Sequence, residues 1–178
     1  KTALNGMTVG YHEITTDRNR RSRASDGVMI NPPIRSPRSK LGGLHHLGRM
    51  FDKIRCGLAG SLPEEYRPNL GLPTRLDGHL CGFLGIEFND ISRKIHEGLS
   101  DEKMVEWRFT TGLRPNPVQR RIWNAFSEKI GWRDFAASIV DELKKEDGLE
   151  KHPELQTPFG VIDKREERAN TAARRVQN

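Results

Sequence analysis

Apolar residues recur at helical spacing between residues 39 and 58, and this pattern constrains the fold more than any other feature of the chain. Leu44, Leu47, Phe51, Ile54 and Leu58 stand three or four positions apart. That spacing puts the side chains on one face of an α-helix, and such a face is stable in water only when it is buried. The sequence therefore predicts an amphipathic helix over residues 39–58 as the first element of a helical core.

Capping residues and the same periodicity predict further helices. Residues 61–78 contain three prolines and are predicted to be loop, followed by a short apolar stretch that ends at Gly85. Ser100 and Asn116 are suitable N-cap residues, the first followed by two acids and the second by a proline. A later helix is expected to begin at Trp132, which is assigned to the core with the other two tryptophans. The expected buried faces are Ile91, Ile95 and Leu99; Met104, Val105 and Trp107; Val118, Ile122, Trp123 and Phe126; and Phe135, Ile139, Val140 and Leu143. With little strand signal, the pattern favours an all-α fold, a single small domain of five or six short helices with extended arms at both ends.

The net charge of +6 is concentrated at the two ends of the chain. Residues 1–33 and residues 163–178 each hold five basic and three acidic side chains, whereas residues 34–162 are nearly balanced. The mean hydropathy of −0.72 is low for a compact domain, which is expected when the ends do not contribute to the core. We therefore predict an extended basic arm over residues 1–33, a helical domain over residues 34–162 and a charged tail, which can be helical, over residues 163–178.

Two classes of protein are disfavoured by the sequence. The chain contains no run of 18 apolar residues, so no membrane span is expected, and its start lacks the basic-then-apolar order of a signal peptide. Cys56 and Cys81 are its only cysteines, and so few in a chain of this length favour free thiols. We expect a soluble protein of the cytoplasm or of another reducing intracellular compartment.

Arg55 is the first candidate site residue because it lies at the edge of the apolar stripe. A guanidinium beside a buried face needs an anionic partner, and Asp52 and Asp77 are the acids expected within reach. Two interpretations stay open: a structural ion pair between the first helix and the following loop, or an arginine poised for an anionic ligand. A catalytic site, if the protein has one, is expected to use Arg55, Asp52, Asp77, His45 and His79.

The start of the first helix is the second candidate site because it combines basic side chains with backbone amides. Arg35, Arg38, Ser39 and Arg55 together can hold a phosphate or a carboxylate. The same segment can instead form an ordinary N-cap. Neither a CxxC nor an HExxH spacing occurs, so no metal site and no cofactor are predicted.

Several short motifs occur in a characteristic order along the chain. They are Arg35-Ser36-Pro37, Leu41-Gly42-Gly43, Asp52-Lys53-x-Arg55, Leu76-Asp77, Phe83-Leu84-Gly85-Ile86, Glu106-Trp107, Trp123-Asn124-Ala125-Phe126 and Thr157-Pro158-Phe159-x-x-Ile162-Asp163. Over about residues 34–168 this order resembles a bacterial family that is described as a domain of unknown function. The resemblance implies a small soluble helical protein with one compact domain, and it implies no reaction, cofactor or catalytic residue. The segment before Asp77 is longer than the resemblance leads one to expect, and residues 1–33 lie outside it.

These observations leave three functions open. We expect first a non-enzymatic accessory or structural subunit that docks on a larger protein assembly, because an arm this polar becomes ordered only against a partner. The expected contact residues of the arm are Tyr11, Arg18, Arg20, Arg21 and Arg23. The alternative is a small enzyme or ligand-binding domain with an anion pocket between the first helix and residues 61–86. The third is a nucleic-acid-associated protein that binds phosphates through the arginines of the arm.

Overall fold

The computed structural model describes the backbone of residues 34–176 and the side chains of residues 34–167. This part of the chain forms seven α-helices and one 3₁₀ helix and contains no β-strand, which confirms the all-α class. The elements are α1 (Leu47–Leu58), the 3₁₀ helix (Glu64–Asn69), α2 (Leu76–Leu84), α3 (Phe88–His96), α4 (Asp101–Thr111), α5 (Pro117–Lys129), α6 (Ala137–Glu146) and α7 (Pro158–Val176). None of the helices within residues 34–176 has the length and apolar character that crossing a membrane requires.

Helix α1 begins eight residues later than the sequence predicted, because the preceding segment is a compact loop. Gly42, Gly43 and His46 have φ angles of 58°, 81° and 68°, which belong to the left-handed region and do not continue a right-handed helix. Leu41 and Leu44 exchange backbone hydrogen bonds across this loop, and the His46 N–H donates to the Pro37 carbonyl at 2.9 Å. The predicted helix over residues 39–58 is therefore correct only in its second part.

The main core forms around the apolar face of α1. Leu47, Met50, Phe51 and Ile54 pack with buried side chains of the next four helices, namely Leu80, Leu84, Ile91, Ile95, Met104 and Trp123. Burying one such side chain stabilises the folded state by about 1.5–3 kcal/mol. This core holds α1 in the middle of the domain. Residues on the opposite face of α1 are therefore also covered, by the 3₁₀ helix, α2 and α7.

Helices α5 and α6 bury fewer of their apolar residues than the sequence predicted. Trp123 is buried, whereas Val118 and Ile122 are 51% and 60% exposed on the opposite side of α5. Trp132 and Phe135 are also exposed, because α6 begins only at Ala137 and both residues lie in the turn before it. The positive φ angles of Gly131 and Arg133 in that turn explain the late start of the helix.

Helix α2 lies where the sequence predicted the end of a loop and a short apolar stretch. Asp77 occupies its first turn, where the helix dipole favours a carboxylate. Gly78 packs against the backbone of Leu72 and Pro73, and a Cβ atom at this position would clash with it. This close approach brings the loop before α2 over the start of the helix, where the Gly71 N–H donates to Asp77 Oδ2 at 3.0 Å.

Helix α7 crosses the predicted boundary between domain and tail at residues 162 and 163. Just beyond it, Asp163 accepts from Arg38, Arg165 donates to Asp147, and Glu166 pairs with Arg49. The first part of the predicted tail therefore packs on the helical domain. The predicted arm over residues 1–33 lies outside the described residues, and with it Tyr11, Arg18, Arg20, Arg21 and Arg23.

Candidate functional site

A cavity of about 80 Å³ lies on the side of α1 that faces away from the main core. Its apolar wall is formed by Leu76, Ile130, Ala136, Ile139, Leu143 and Ile162. Its polar wall comes from α1, the 3₁₀ helix, α2 and α7 and contains His46, Arg49, Lys53, Tyr66, Arg75, Asp77, His79 and Arg165. One water needs roughly 10–15 Å³ by this measure, so the cavity holds several waters or a small ligand.

Asp77 is the centre of a fully buried polar cluster in this wall. Lys53 Nζ donates to both carboxylate oxygens of Asp77, at 2.8 and 2.7 Å. His46 Nε2 lies 2.8 Å from Asp77 Oδ1. Lys53 lies in α1 and His46 immediately precedes this helix, so the cluster links α1 to α2.

The charge states in this cluster follow from burial and from the ion pair. Burial alone would raise the pKa of Asp77, but the charge of Lys53 and the hydrogen bonds from His46 and Gly71 outweigh it and hold this pKa below its usual range. Burial lowers the pKa of His46 to about 4, against the opposing effect of Asp77. At neutral pH the carboxylate is therefore ionised and the imidazole is neutral. His46 then donates its Nε2 proton to Asp77 and keeps a lone pair on Nδ1.

Arg49 and Arg165 lie on either side of Tyr66 at the other end of the polar wall. Their guanidinium carbons are 5.3 and 5.4 Å from the centre of the tyrosine ring. Arg49 pairs with Glu166 at 2.7 Å, and the Tyr66 hydroxyl donates to the same carboxylate at 3.2 Å. Burial raises the pKa of Tyr66, so its hydroxyl stays protonated and keeps its donor. These contacts hold the start of α7 against α1.

Apart from Arg49 Nη2, which lies 2.7 Å from Glu166, four buried side-chain nitrogens of residues that line this cavity have no hydrogen-bond partner among the described residues. They are His46 Nδ1, Arg75 Nη1, His79 Nε2 and Arg165 Nη2. Arg75 and Arg165 are otherwise engaged, with Glu142 at 3.0 Å and with Asp147 at 2.8 Å. Buried polar groups almost always have a partner, so four such nitrogens on residues that line one cavity indicate a polar species there, either water or ligand.

The structure divides the sequence-predicted catalytic set between several places. Asp77 and His79 line the cavity, with Lys53 rather than Arg55 as the cation on Asp77. Arg55 and Asp52 belong to a separate network that ties α1 to α4, in which Arg55 Nη2 lies 2.8 Å from Asp101. Arg55 also approaches Asp52, at 3.6 Å. The expectation that Arg55 reaches Asp77 is therefore wrong.

The predicted anion site at the start of the first helix is occupied by acids of the protein itself. Arg35 contacts Asp52 and Asp101 at 2.7 and 2.6 Å. Its hydrogen bond to Asp52 is the main reason why the pKa of Arg35 is raised. Arg38 pairs with Asp163 and Glu128, and the Ser39 N–H donates to the Ser36 carbonyl. His45 lies 3.5 Å from Glu128 in a groove along α5 and does not line the cavity.

No group of three or more His, Cys, Asp or Glu residues is placed to hold a metal ion in the part of the chain that the structure describes. Cys56 and Cys81 are buried and unbridged. Burial raises the pKa of the Cys81 thiol to about 12, which keeps it protonated and unreactive.

The sequence reasoning missed His46, Arg49 and Lys53 as site residues. Arg49 and Lys53 stand four positions apart on the face of α1 opposite to the apolar stripe, a face that a helical wheel assigns to solvent. The Asp52-Lys53-x-Arg55 motif contains both Lys53, which reaches Asp77, and Arg55, which reaches Asp101 instead. His46 precedes α1 with a positive φ angle, and its side chain lies 2.8 Å from Asp77.

Comparison with known proteins gives one positive result. No curated protein matches the chain. The family described as Domain of unknown function (DUF5069) matches residues 31–168, close to the range over which the motifs resembled such a family. The chain therefore belongs to the DUF5069 family.

Proposed function

We propose that the protein binds a small carboxylate with an apolar body in the cavity between α1, α2, α6 and α7. The observation that carries this proposal is the presence of four unpartnered buried nitrogens on residues that line one cavity. Two of these belong to arginines, whose guanidinium groups bind carboxylates through paired N–H donors.

The two walls of the cavity define the class of ligand. Arg75 and Arg165 stand among the polar side chains, while Leu76, Ile139 and Ile162 belong to the opposite, apolar wall. A ligand with one anionic end and a short hydrocarbon or aromatic end satisfies both walls. The small volume favours a ligand of only a few heavy atoms.

The test is a calorimetric titration of the full chain with acetate, butyrate and benzoate at constant ionic strength. We expect at least one of these acids to bind, and Arg75→Gln to weaken its binding about tenfold, because one charge-assisted hydrogen bond is lost. Arg93→Gln is the matched control, since Arg93 is exposed on α3 and pairs with Asp90 far from the cavity. Equal affinity in the two variants, or no binding of any of the acids, would rule the proposal out.

A second candidate is that the same cavity performs proton transfer. The supporting observation is the pair of Asp77 and His46, in which the carboxylate orients a neutral imidazole whose Nδ1 has no partner among residues 34–167. That arrangement is typical of a general base. If the candidate is correct, His46→Asn abolishes turnover of a substrate derived from the bound carboxylate and leaves its dissociation constant within about twofold. Loss of both together would favour a binding role alone.

Docking on a larger protein assembly through residues 1–33 stays a proposal that rests on the polarity and charge of that segment. Deletion of residues 1–33 should abolish capture of the partner and leave the melting temperature of the helical domain unchanged. The nucleic-acid alternative requires an affinity that falls steeply with salt, because it depends on counterion release. An affinity that is flat with salt would exclude it.

A further inference from the structure

Arg108 is buried, and no partner for its charge is found among residues 34–167. Its side chain on α4 is among the largest that are fully enclosed, with 1% of the residue exposed. None of its three guanidinium nitrogens has a hydrogen-bond partner among the described residues. Its one favourable contact is with the ring of Phe109, 3.9 Å from the guanidinium carbon, and a cation–π contact is weaker than the penalty for burying an unpaired charge.

A second arginine adds to the same uncompensated charge. Arg120 on α5 interacts unfavourably with Arg108, and burial together with this repulsion lowers the pKa of Arg108 to about 10. Arg108 therefore remains cationic at neutral pH, beside a second arginine. Neither forms an ion pair within the described part of the chain, whereas Arg35, Arg38 and Arg49 are all paired with acids.

The loop of Gly42 and Gly43 is shaped around these two side chains. A Cβ atom at Gly42 would lie 3.0 Å from Arg108 Nη2, and one at Gly43 would lie 2.8 Å from Arg120 Cδ. Both glycines have positive φ angles, so the backbone turns here in a conformation that other residues rarely adopt. The absence of side chains on this loop leaves room for both arginines beside it.

A groove open to solvent lies beside Arg120, while Arg108 is buried next to Gly42 and does not line it. It runs between the loop and α5, and its lining includes Lys40, Gly43, Arg120 and Arg121. Its acid, Glu128, lies near Arg38 and His45 at 3.7 and 3.5 Å and is thus already shared between two groups. The groove presents three basic side chains that have no acidic partner in the structure as described.

We propose that the Gly42–Gly43 loop, Arg108 and Arg120 form a site for a phosphate group, either the free ion or a small phosphate monoester. A divalent oxyanion in the groove beside Arg120 accepts hydrogen bonds from that guanidinium, and it supplies counter-charge to Arg108, which lies against the loop at Gly42. Lys40 and Arg121 at the groove attract such an ion from solvent. This site is separate from the cavity behind α1 and does not depend on its ligand.

The experiment is calorimetric titration of the full chain with sodium phosphate and with glycerol phosphate, with chloride adjusted to constant ionic strength. We expect binding of at least one of them, weakened at least about tenfold in Arg120→Met and in Arg108→Met. Arg93→Met is the control and should bind phosphate as the unmodified chain does, because Arg93 is exposed and pairs with Asp90 on α3. The stronger of the two ligands shows whether the free ion or a monoester is preferred.

Thermal unfolding provides a second readout that separates ligand binding from simple packing. Without phosphate, Arg108→Met should melt at or above the temperature of the unmodified chain, because it removes a buried unpaired charge. Phosphate should raise the melting temperature of the unmodified chain and not that of the variant. A lower melting temperature of Arg108→Met in phosphate-free buffer, or no phosphate binding by the unmodified chain, would overturn the proposal. If Arg108→Met does not fold, the Arg120→Met variant provides the test, because Arg120 is only half-buried. Loss of phosphate binding in that variant supports the proposal, and unchanged phosphate binding contradicts it.

Discussion

Asp77 is the residue on which the buried polar cluster depends. It accepts hydrogen bonds from Lys53 and Gly71 and contacts His46, and all of these groups except the glycine amide are side chains with almost no exposed surface. Asp77→Asn keeps the shape of the side chain but leaves Lys53 buried beside a neutral amide. Breaking a buried ion pair in this way destabilises a protein by about 3–5 kcal/mol, and we expect a loss of that size in the free energy of unfolding measured with urea.

The control for this prediction is Asp90→Asn on the exposed side of α3, where Asp90 pairs with Arg93 at the surface. Exposed pairs contribute about 0–1 kcal/mol, so this variant should unfold almost as the unmodified chain does. A loss below about 1 kcal/mol for Asp77→Asn would mean that water reaches Lys53 and that the cluster is not closed.

His46 makes the stability of the fold depend on pH between neutral and mildly acidic conditions. Its pKa falls from the ordinary value of 6.5 to about 4 in the folded state, so the unfolded chain binds a proton that the folded chain rejects. The stabilisation from a neutral His46 is complete above pH 6.5 and is lost as the pH falls towards 4. It amounts to about 3 kcal/mol over that range.

Comparison with His46→Asn isolates this contribution from those of His45 and His79, whose pKa values burial also lowers. Asparagine tolerates the positive φ of this position and can still donate to Asp77. The free energy of unfolding of the variant should therefore change less steeply between pH 6.5 and 4. The difference in slope corresponds to about one proton taken up on unfolding. Parallel curves of the free energy of unfolding against pH would contradict this prediction, because they would mean that the pKa of His46 is the same in the folded and the unfolded chain.

At the scale of elements, two glycines of α2 test how closely this helix must pack. Gly78 lies against the backbone of Leu72 and Pro73, whereas a Cβ atom at Gly82 would meet nothing within 4 Å. Gly78→Ala should destabilise the fold by about 1–3 kcal/mol through overpacking. Gly82→Ala should stabilise it by about 0.5–1 kcal/mol, because alanine loses less conformational freedom in a helix.

The same glycine-to-alanine substitution is thus expected to lower the free energy of unfolding at one position of α2 and to raise it at the other. Denaturant unfolding of the two variants measures this difference directly. Because Gly78 follows Asp77, its alanine variant should also weaken binding of a carboxylate in the cavity, while the Gly82 variant should not. Equal stability of both variants would contradict the close approach of α2 to the loop before it.

The helices also show where sequence reasoning succeeds and where it stops. The N-cap at Asn116 and the proline after it correctly predicted the start of α5, since a capping box is a local interaction within four residues. The second, buried face of α1 could not be predicted in this way. Arg49 and Lys53 on that face are enclosed by the 3₁₀ helix, α2 and α7. The packing of α7 against α1 joins residues far apart in the sequence, so no local pattern predicts it.

The site was partly predictable for the same reason. Asp77 and His79 were identified as candidates, and they lie in the wall of the cavity. The predicted partner of Asp77 was wrong, because the partner of a buried acid depends on which lysine or arginine reaches it across elements. Lys53 reaches Asp77 from α1, whereas Arg55, two residues later, points towards Asp101 of α4.

At the scale of the whole molecule, α7 joins the end of the chain to its first helix. Phe159 is fully buried among Leu76, Ile130 and Ala136, and Glu166 lies 2.7 Å from Arg49. The boundary predicted from composition, after residue 162, divides this helix between a domain and a tail. Residues 163–178 contain more basic than acidic side chains, but Arg165 and Glu166 among them form ion pairs with Asp147 and Arg49 of the domain.

A chain that ends after Ile162 tests this role of α7. The truncation keeps Phe159 but removes Arg165 and Glu166, so Asp147 loses a partner and Arg49 remains at the wall of the cavity without its acid. We expect a loss of about 3 kcal/mol in the free energy of unfolding, at the low end for a broken buried pair because the shortened chain admits water to Arg49. Glu166→Gln in the full chain removes the same charge without opening the cavity and should reproduce a large part of this loss in urea unfolding. If the truncated chain unfolds at the same urea concentration as the full one, residues 163–178 are a tail after all and the ion pair of Arg49 with Glu166 contributes nothing to the fold.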